Sequence, residues 1–223
     1  MLTTKAALRL AALPLLPVAV LPLTGCGAGG SAIGSADAGL QPADHGRPAP
    51  RAQGSYRLWP ERPPAPPQPG RGGAPMAPSP VPGVAVPAGG LRGVPPRDVL
   101  AADPAAPAAC GEHAPEAAAC PVREAYYRDL TGNGHEELVL GIDQPDGSLT
   151  IRVYTHEDGR VLRIMNDTQR ITGAEVTERD LILRSATSTP GTESREVWSW
   201  CAHLGVLAPR LTEIIRHPAE PRR

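Results

Sequence analysis

The chain predicts a mainly β protein, a single small antiparallel β-meander domain of about seven or eight strands placed behind a disordered Pro/Ala/Gly-rich linker. Three observations predict it. Beyond residue 121, apolar side chains recur at every second position, as in Leu138, Leu140 and Ile142 or Leu149, Ile151 and Val153, which is the period of a half-buried strand. Tight-turn sequences separate these runs, and consecutive strands joined by such turns run antiparallel. Upstream the composition changes, with most of the 28 prolines between residues 41 and 109. A segment so rich in Pro, Ala and Gly buries too little apolar surface to offset the entropy of ordering it. Residues 26–96 are therefore read as linker, 97–217 as the domain and 218–223 as a tail.

In chain order, residues 1–25 carry Lys5 and Arg9, then an almost uncharged run rich in Leu, Ala and Val, broken by Pro14, Pro17 and Pro22. That run is too short and too kinked for a spanning helix and suits the apolar region of an export signal. It ends in Leu23-Thr24-Gly25-Cys26, which resembles the bacterial lipobox. The resemblance implies diacylglyceryl modification of Cys26, cleavage before it, and a protein held on the outer side of the cell membrane by its lipid. About 70 linker residues would span roughly 45 Å as a flexible coil. Their prolines serve as a spacer or as a polyproline ligand for an aromatic groove. Tyr56 and Trp59, inside this tract, are expected to be weakly exposed.

The domain should open with a short helix at residues 97–102, ending before Pro104, and a helical turn at 115–119. Strands follow at 122–128, 137–142, 149–153 and 160–165, with turns at Gln144-Pro145-Asp146-Gly147 and Asp158-Gly159. A hairpin around Glu178-Arg179-Asp180 joins 174–177 to 181–184, Pro190-Gly191 leads into 195–201, and 211–216 forms a last strand.

The chemistry concentrates between Asp129 and Glu137, where oxygen-bearing side chains alternate around Gly132 and Gly134. Asp129, Thr131, Asn133, the His135 carbonyl and Glu137 occupy alternate loop positions, as a weak calcium site requires. The competing reading is architectural, with Asp129 and Asn133 accepting backbone amides to shape a turn. The stretch resembles the calcium loops of FG-GAP and VCBS-type repeats, but Thr131 and Asn133 stand where carboxylates are usual, which implies weak binding. A single such loop excludes a multi-bladed propeller.

Four cysteines, Cys26, Cys110, Cys120 and Cys201, belong to an exported chain, where disulfides persist. With Cys26 acylated, the most local pairing is Cys110 with Cys120, and Cys120 with Cys201 is the alternative. Zinc at Cys110, His113 and Cys120 fits no usual spacing. Trp198 and Trp200 share one strand face, as core residues or as a sugar-stacking platform. A net charge of −1 with interspersed signs leaves no basic footprint for nucleic acid. No triad, phosphate loop or carboxylate pair with a defined role is legible, so an enzyme is not expected.

The lipobox, the Pro/Ala-rich spacer and the run Cys120-Pro-Val-Arg-Glu-Ala-Tyr-Tyr-Arg-Asp-Leu-Thr-Gly-Asn-Gly-His-Glu-Glu-Leu-Val-Leu-Gly-Ile together resemble the CseA-type lipoproteins of high-GC Gram-positive bacteria. The resemblance implies an accessory regulator of envelope-stress signalling that acts outside the membrane, on an exported sensor-kinase domain. The alternative from another class is a calcium-assisted binding module for a cell-wall glycan.

Overall fold

The computed structural model describes residues 55–67, 75–107 and 121–217. The expected signal peptide with Cys26, the expected linker up to residue 54, the expected Cys110–Cys120 pairing, His113, the expected helical turn at 115–119 and residues 218–223 lie outside the described residues.

The described residues form two antiparallel five-stranded sheets. One has the order β1-β7-β8-β9-β10, from β1 (Tyr56–Leu58), β7 (Gly173–Thr177), β8 (Asp180–Ala186), β9 (Thr192–Cys201) and β10 (Val206–Arg216). The other has the order β2-β6-β5-β4-β3, from β2 (Ser79–Val81), β6 (Arg160–Gln169), β5 (Leu149–Glu157), β4 (Glu137–Asp143) and β3 (Tyr126–Arg128). Each sheet is thus a four-strand meander to which one upstream strand is added. The expected strands and the Asp158-Gly159 hairpin are present, the latter with φ of 50° and 73°, the primed geometry that matches strand twist. The helix appears as α1, Pro96–Ala102, with Pro96 at its start where the missing N–H costs nothing.

Among the described residues there are ten strands, the expected eight of residues 97–217 and two more from the proline-rich tract, which is not all linker. This corrects the domain boundary at residue 97. Leu58 pairs with Ala174, and Val81 pairs with Val161. Leu58, Trp59, Leu91 and Val94 are all buried. Average composition hides the few residues of the tract that pack. A few large apolar residues, spaced among prolines that themselves tolerate edge strands and extended backbone, suffice when a preformed sheet supplies the partner surface.

Trp59 corrects a second expectation, being only 3% exposed. Its Nε1 donates to the Glu124 carbonyl at 2.9 Å, and its ring occupies the space above Gly141, where an added Cβ would lie 2.9 Å from the indole. Arg62 continues the attachment, donating to the carbonyls of Gly147 at 2.7 Å and Ile171 at 3.1 Å.

Two cores result. Between the sheets, Val139, Ile151, Val153 and Ile164 meet Ala174, Leu181, Leu183, Trp198 and Leu207. On the other face of the second sheet, Leu138, Leu140, Ile142, Tyr154 and Val161 pack against Leu91, Val94, Val99 and Leu100. Strand β4 is therefore buried on both faces rather than half-buried, because the upstream tract and α1 cover its outer side. A bulge in the β5–β6 register, where Val153 faces Met165 and Tyr154 faces Arg163, brings Ile164 and Met165 both into the inter-sheet core. Trp198 is buried in that core, with Trp200 packed against it, so the tryptophan pair is structural.

Candidate functional site

The Asp129 loop joins β3 to β4 and is built by two glycines with positive φ, Gly132 at 80° and Gly134 at 86°. Gly134 meets nothing within 4 Å, so backbone conformation alone selects glycine there. At Gly132 space does so too, because the Arg179 guanidinium from the β7–β8 turn covers it and a Cβ would come within 2.2 Å of Nη1. Arg128 Nε donates to the Glu178 carbonyl at 2.9 Å, so the loop of one sheet is tied to a turn of the other.

Within the loop Asp129, Asn133 and Glu137 turn inward to local donors, whereas Glu136 turns out to Arg92. Asp129 Oδ1 accepts the Gly132 N–H at 2.6 Å, and Oδ2 accepts that of Gly134 at 3.2 Å. Asn133 Oδ1 accepts the His135 N–H at 2.7 Å. Glu137 has no solvent exposure. Its Oε2 accepts the N–H groups of Leu130 at 2.6 Å and Thr131 at 3.1 Å, while Oε1 accepts the hydroxyls of Thr155 at 2.9 Å and Thr131 at 3.2 Å. Burial raises the Glu137 carboxyl above its ordinary range, and these donors hold it back.

Asp129 and Glu137 thus serve separate hydrogen-bond sets. Among the described residues no group of three or more His, Cys, Asp or Glu side chains is placed to hold a metal ion. The oxygens of Asp129, Asn133 and Glu137 are taken up by amides and hydroxyls of the loop and of β5, which is the architectural arrangement. His135 is exposed, with its ring 4.9 Å from that of His156 in an edge-to-face pair.

A second polar cluster was not legible in the sequence. Asp103, immediately after α1, is 3% exposed and accepts Arg152 Nη1 at 2.7 Å, Tyr154 Oη at 2.8 Å, the Ala105 N–H at 3.0 Å and Arg163 Nη1. Burial alone would raise its carboxyl, but the Ala105 amide, Arg163, Tyr154 and Arg152 together bring it below the ordinary value. The signal available was a pair of arginines, Arg152 and Arg163, each set among apolar residues of its strand.

Three of the four tyrosines also come together. Tyr56, Tyr126 and Tyr127 line a groove of about 430 Å³ beside β1 and β3, with Arg92, Glu124 and Arg128. Arg92 stacks 4.7 Å from the Tyr127 ring and binds Glu136 through two nitrogens, Nη2 at 2.9 Å. Cys201 is disulfide-bonded, to a cysteine outside the described residues. No helix among the described residues is long and apolar enough to cross a membrane. Compared with protein-family models, curated proteins and solved structures, the chain shows no significant match.

Proposed function

We propose that this protein is a lipid-anchored lipoprotein on the outer side of the cell membrane, a non-enzymatic modulator of envelope-stress signalling that works through contact with an exported sensor-kinase domain. The observation that carries the anchoring is Leu23-Thr24-Gly25-Cys26 at the end of a charged-then-apolar leader. Diacylglyceryl chains bury tens of methylenes at about 0.8 kcal/mol each, which makes such an anchor effectively permanent. Support for a contact role comes from the domain surface. Its most distinctive loop chemistry is spent internally, whereas Tyr56, Leu204, Leu211 and Ile214 remain exposed.

The glycan-binding alternative drew on a calcium loop and a tryptophan platform. Both feature sets are used inside the fold, so it receives no support from either. The test is a Cys26→Ala variant. It is expected to lose incorporation of radiolabelled lipid, to leave the membrane fraction, and to lose its effect on an envelope-stress reporter. Lipid labelling equal to wild type would sink the anchor, and failure of the anchored protein to capture purified exported sensor domain would sink the proposed contact.

A further inference from the structure

We propose that the pocket over the Asp103 cluster is a binding site for a small monocarboxylate with a compact apolar body. The pocket has a volume of about 530 Å³ and lies between β2 and the residues that follow α1. Pro80, Pro82 and Pro104 give it apolar walls, and its buried members are Asp103 and Arg163, 3% and 6% exposed. Apolar walls around a few placed polar groups are the usual make-up of a small-molecule site.

Arg163 sets the chemistry of the ligand. Its Nη1 binds Asp103 Oδ1, its Nε is enclosed without a partner, and its Nη2 bonds no described residue. The N–H groups of Nε and Nη2 lie parallel along one edge of a guanidinium, spaced to hold both oxygens of a carboxylate. Asp103 therefore takes one end of the group and leaves the two-donor edge unused. The charge balance favours the same ligand. Arg152 also binds Asp103, through Nη1 at 2.7 Å, so two guanidinium groups share one carboxylate, and among the described residues no second carboxylate reaches either. A buried excess of one positive charge is costly, and a monoanion cancels it. Ser79 stands opposite Arg163 in the β2–β6 ladder, on the same face, and brings a hydroxyl to the same lining. No aromatic ring is among the described lining residues, which removes the stacking surface a sugar would use. The site depends neither on the lipid anchor nor on the sensor contact proposed above.

The test titrates the full chain in detergent, labelled with ¹⁵N-arginine, at constant ionic strength. Isovalerate is expected to shift the Arg163 Nε–H signal saturably, and uncharged isovaleramide to leave it in place. Acetate, which lacks the apolar body, is expected to bind about tenfold more weakly or worse. By calorimetry, Arg163→Lys, which keeps the charge and loses the two-donor edge, should weaken isovalerate by about tenfold. Ala105→Leu fills the pocket and leaves the charged groups in place, since Ala105 meets the cluster only through its backbone N–H and carbonyl. That variant is expected to lose isovalerate binding with an unchanged thermal midpoint, which separates loss of the site from loss of the fold. No saturable shift with isovalerate overturns the proposal, as does equal binding of isovaleramide or undiminished binding in either variant. Sulfate or phosphate bound more tightly than isovalerate overturns it in favour of an inorganic-anion site.

Discussion

A buried carboxylate persists only where donors surround it, and Glu137 and Asp103 meet that requirement by different means. Glu137 is held by neutral donors, two amides and two hydroxyls, and its carboxyl is raised. Asp103, although burial opposes it, is lowered by the Ala105 amide together with two guanidinium groups and the Tyr154 hydroxyl. Removing Asp103 leaves Arg152 and Arg163 buried without their counter-charge. Asp103→Ala should therefore cost about 3–5 kcal/mol in urea unfolding. A loss below about 1 kcal/mol would show that α1 is not held by this cluster. Because the Asp103 carboxyl is lowered, its stabilisation is present above the ordinary Asp range and is lost as pH falls through the folded value. At Asp129 the two accepted amides predict that Asp129→Ala destabilises by about 1–2 kcal/mol. That loss should be the same in millimolar calcium and in chelator. A wild-type unfolding curve that moves with calcium, and ceases to do so in the variant, would restore the metal reading.

At the scale of elements, the upstream tract behaves as part of the sheets. Strand β1 closes one edge and β2 one edge of the other sheet, while Leu91, Val94, Val99 and Leu100 cover the outer face of β4. A chain beginning at residue 97 loses Leu58, Trp59, Leu91 and Val94, all buried. Each such side chain contributes about 1.5–3 kcal/mol, and their sum rivals the stability of an ordinary domain. The shortened chain is expected to lack a cooperative thermal transition, whereas one beginning at residue 54 should retain it. Equal unfolding midpoints for the two would return the boundary to residue 97.

For the whole molecule, the question is what couples the two sheets. Besides the apolar core, Gln169 of β6 donates to Asp167 at 2.9 Å and to Glu196 of β9 at 3.4 Å, bridging two carboxylates across the interface. Burial, with Glu196 adding to it, raises the Asp167 carboxyl to about 6, and the Gln169 bond opposes the rise. In the interval from about 4 to 6 the folded state holds a proton that the unfolded chain has released. Stability therefore falls as pH rises through that window. Asp167→Asn, which keeps an acceptor for Gln169, should flatten this slope and add on the order of 2 kcal/mol at neutral pH. Unfolding midpoints measured across that range would check it, and an unchanged slope would reject Asp167 as the source.

The sequence by itself determined what depends on near neighbours. Alternation in Leu138–Ile142 and Leu149–Val153, the Asp158-Gly159 turn and the glycines of the Asp129 loop act over a few residues, and each appears where those residues place it. Tertiary structure alone decided which surfaces meet. The division into two sheets, the seating of Trp59 over Gly141, the cover of Arg179 over Gly132 and the union of Asp103 with Arg152 and Arg163 all join residues distant along the chain. The same limit applied to Glu137. Its oxygens were legible as ligands, but whether they face an ion or an amide depends on Thr155 from the next strand and on burial from both sides. A local pattern specifies conformation, whereas solvent exclusion, which sets both the worth of a packed proline tract and the cost of an unpaired charge, exists only once distant segments have closed over one another.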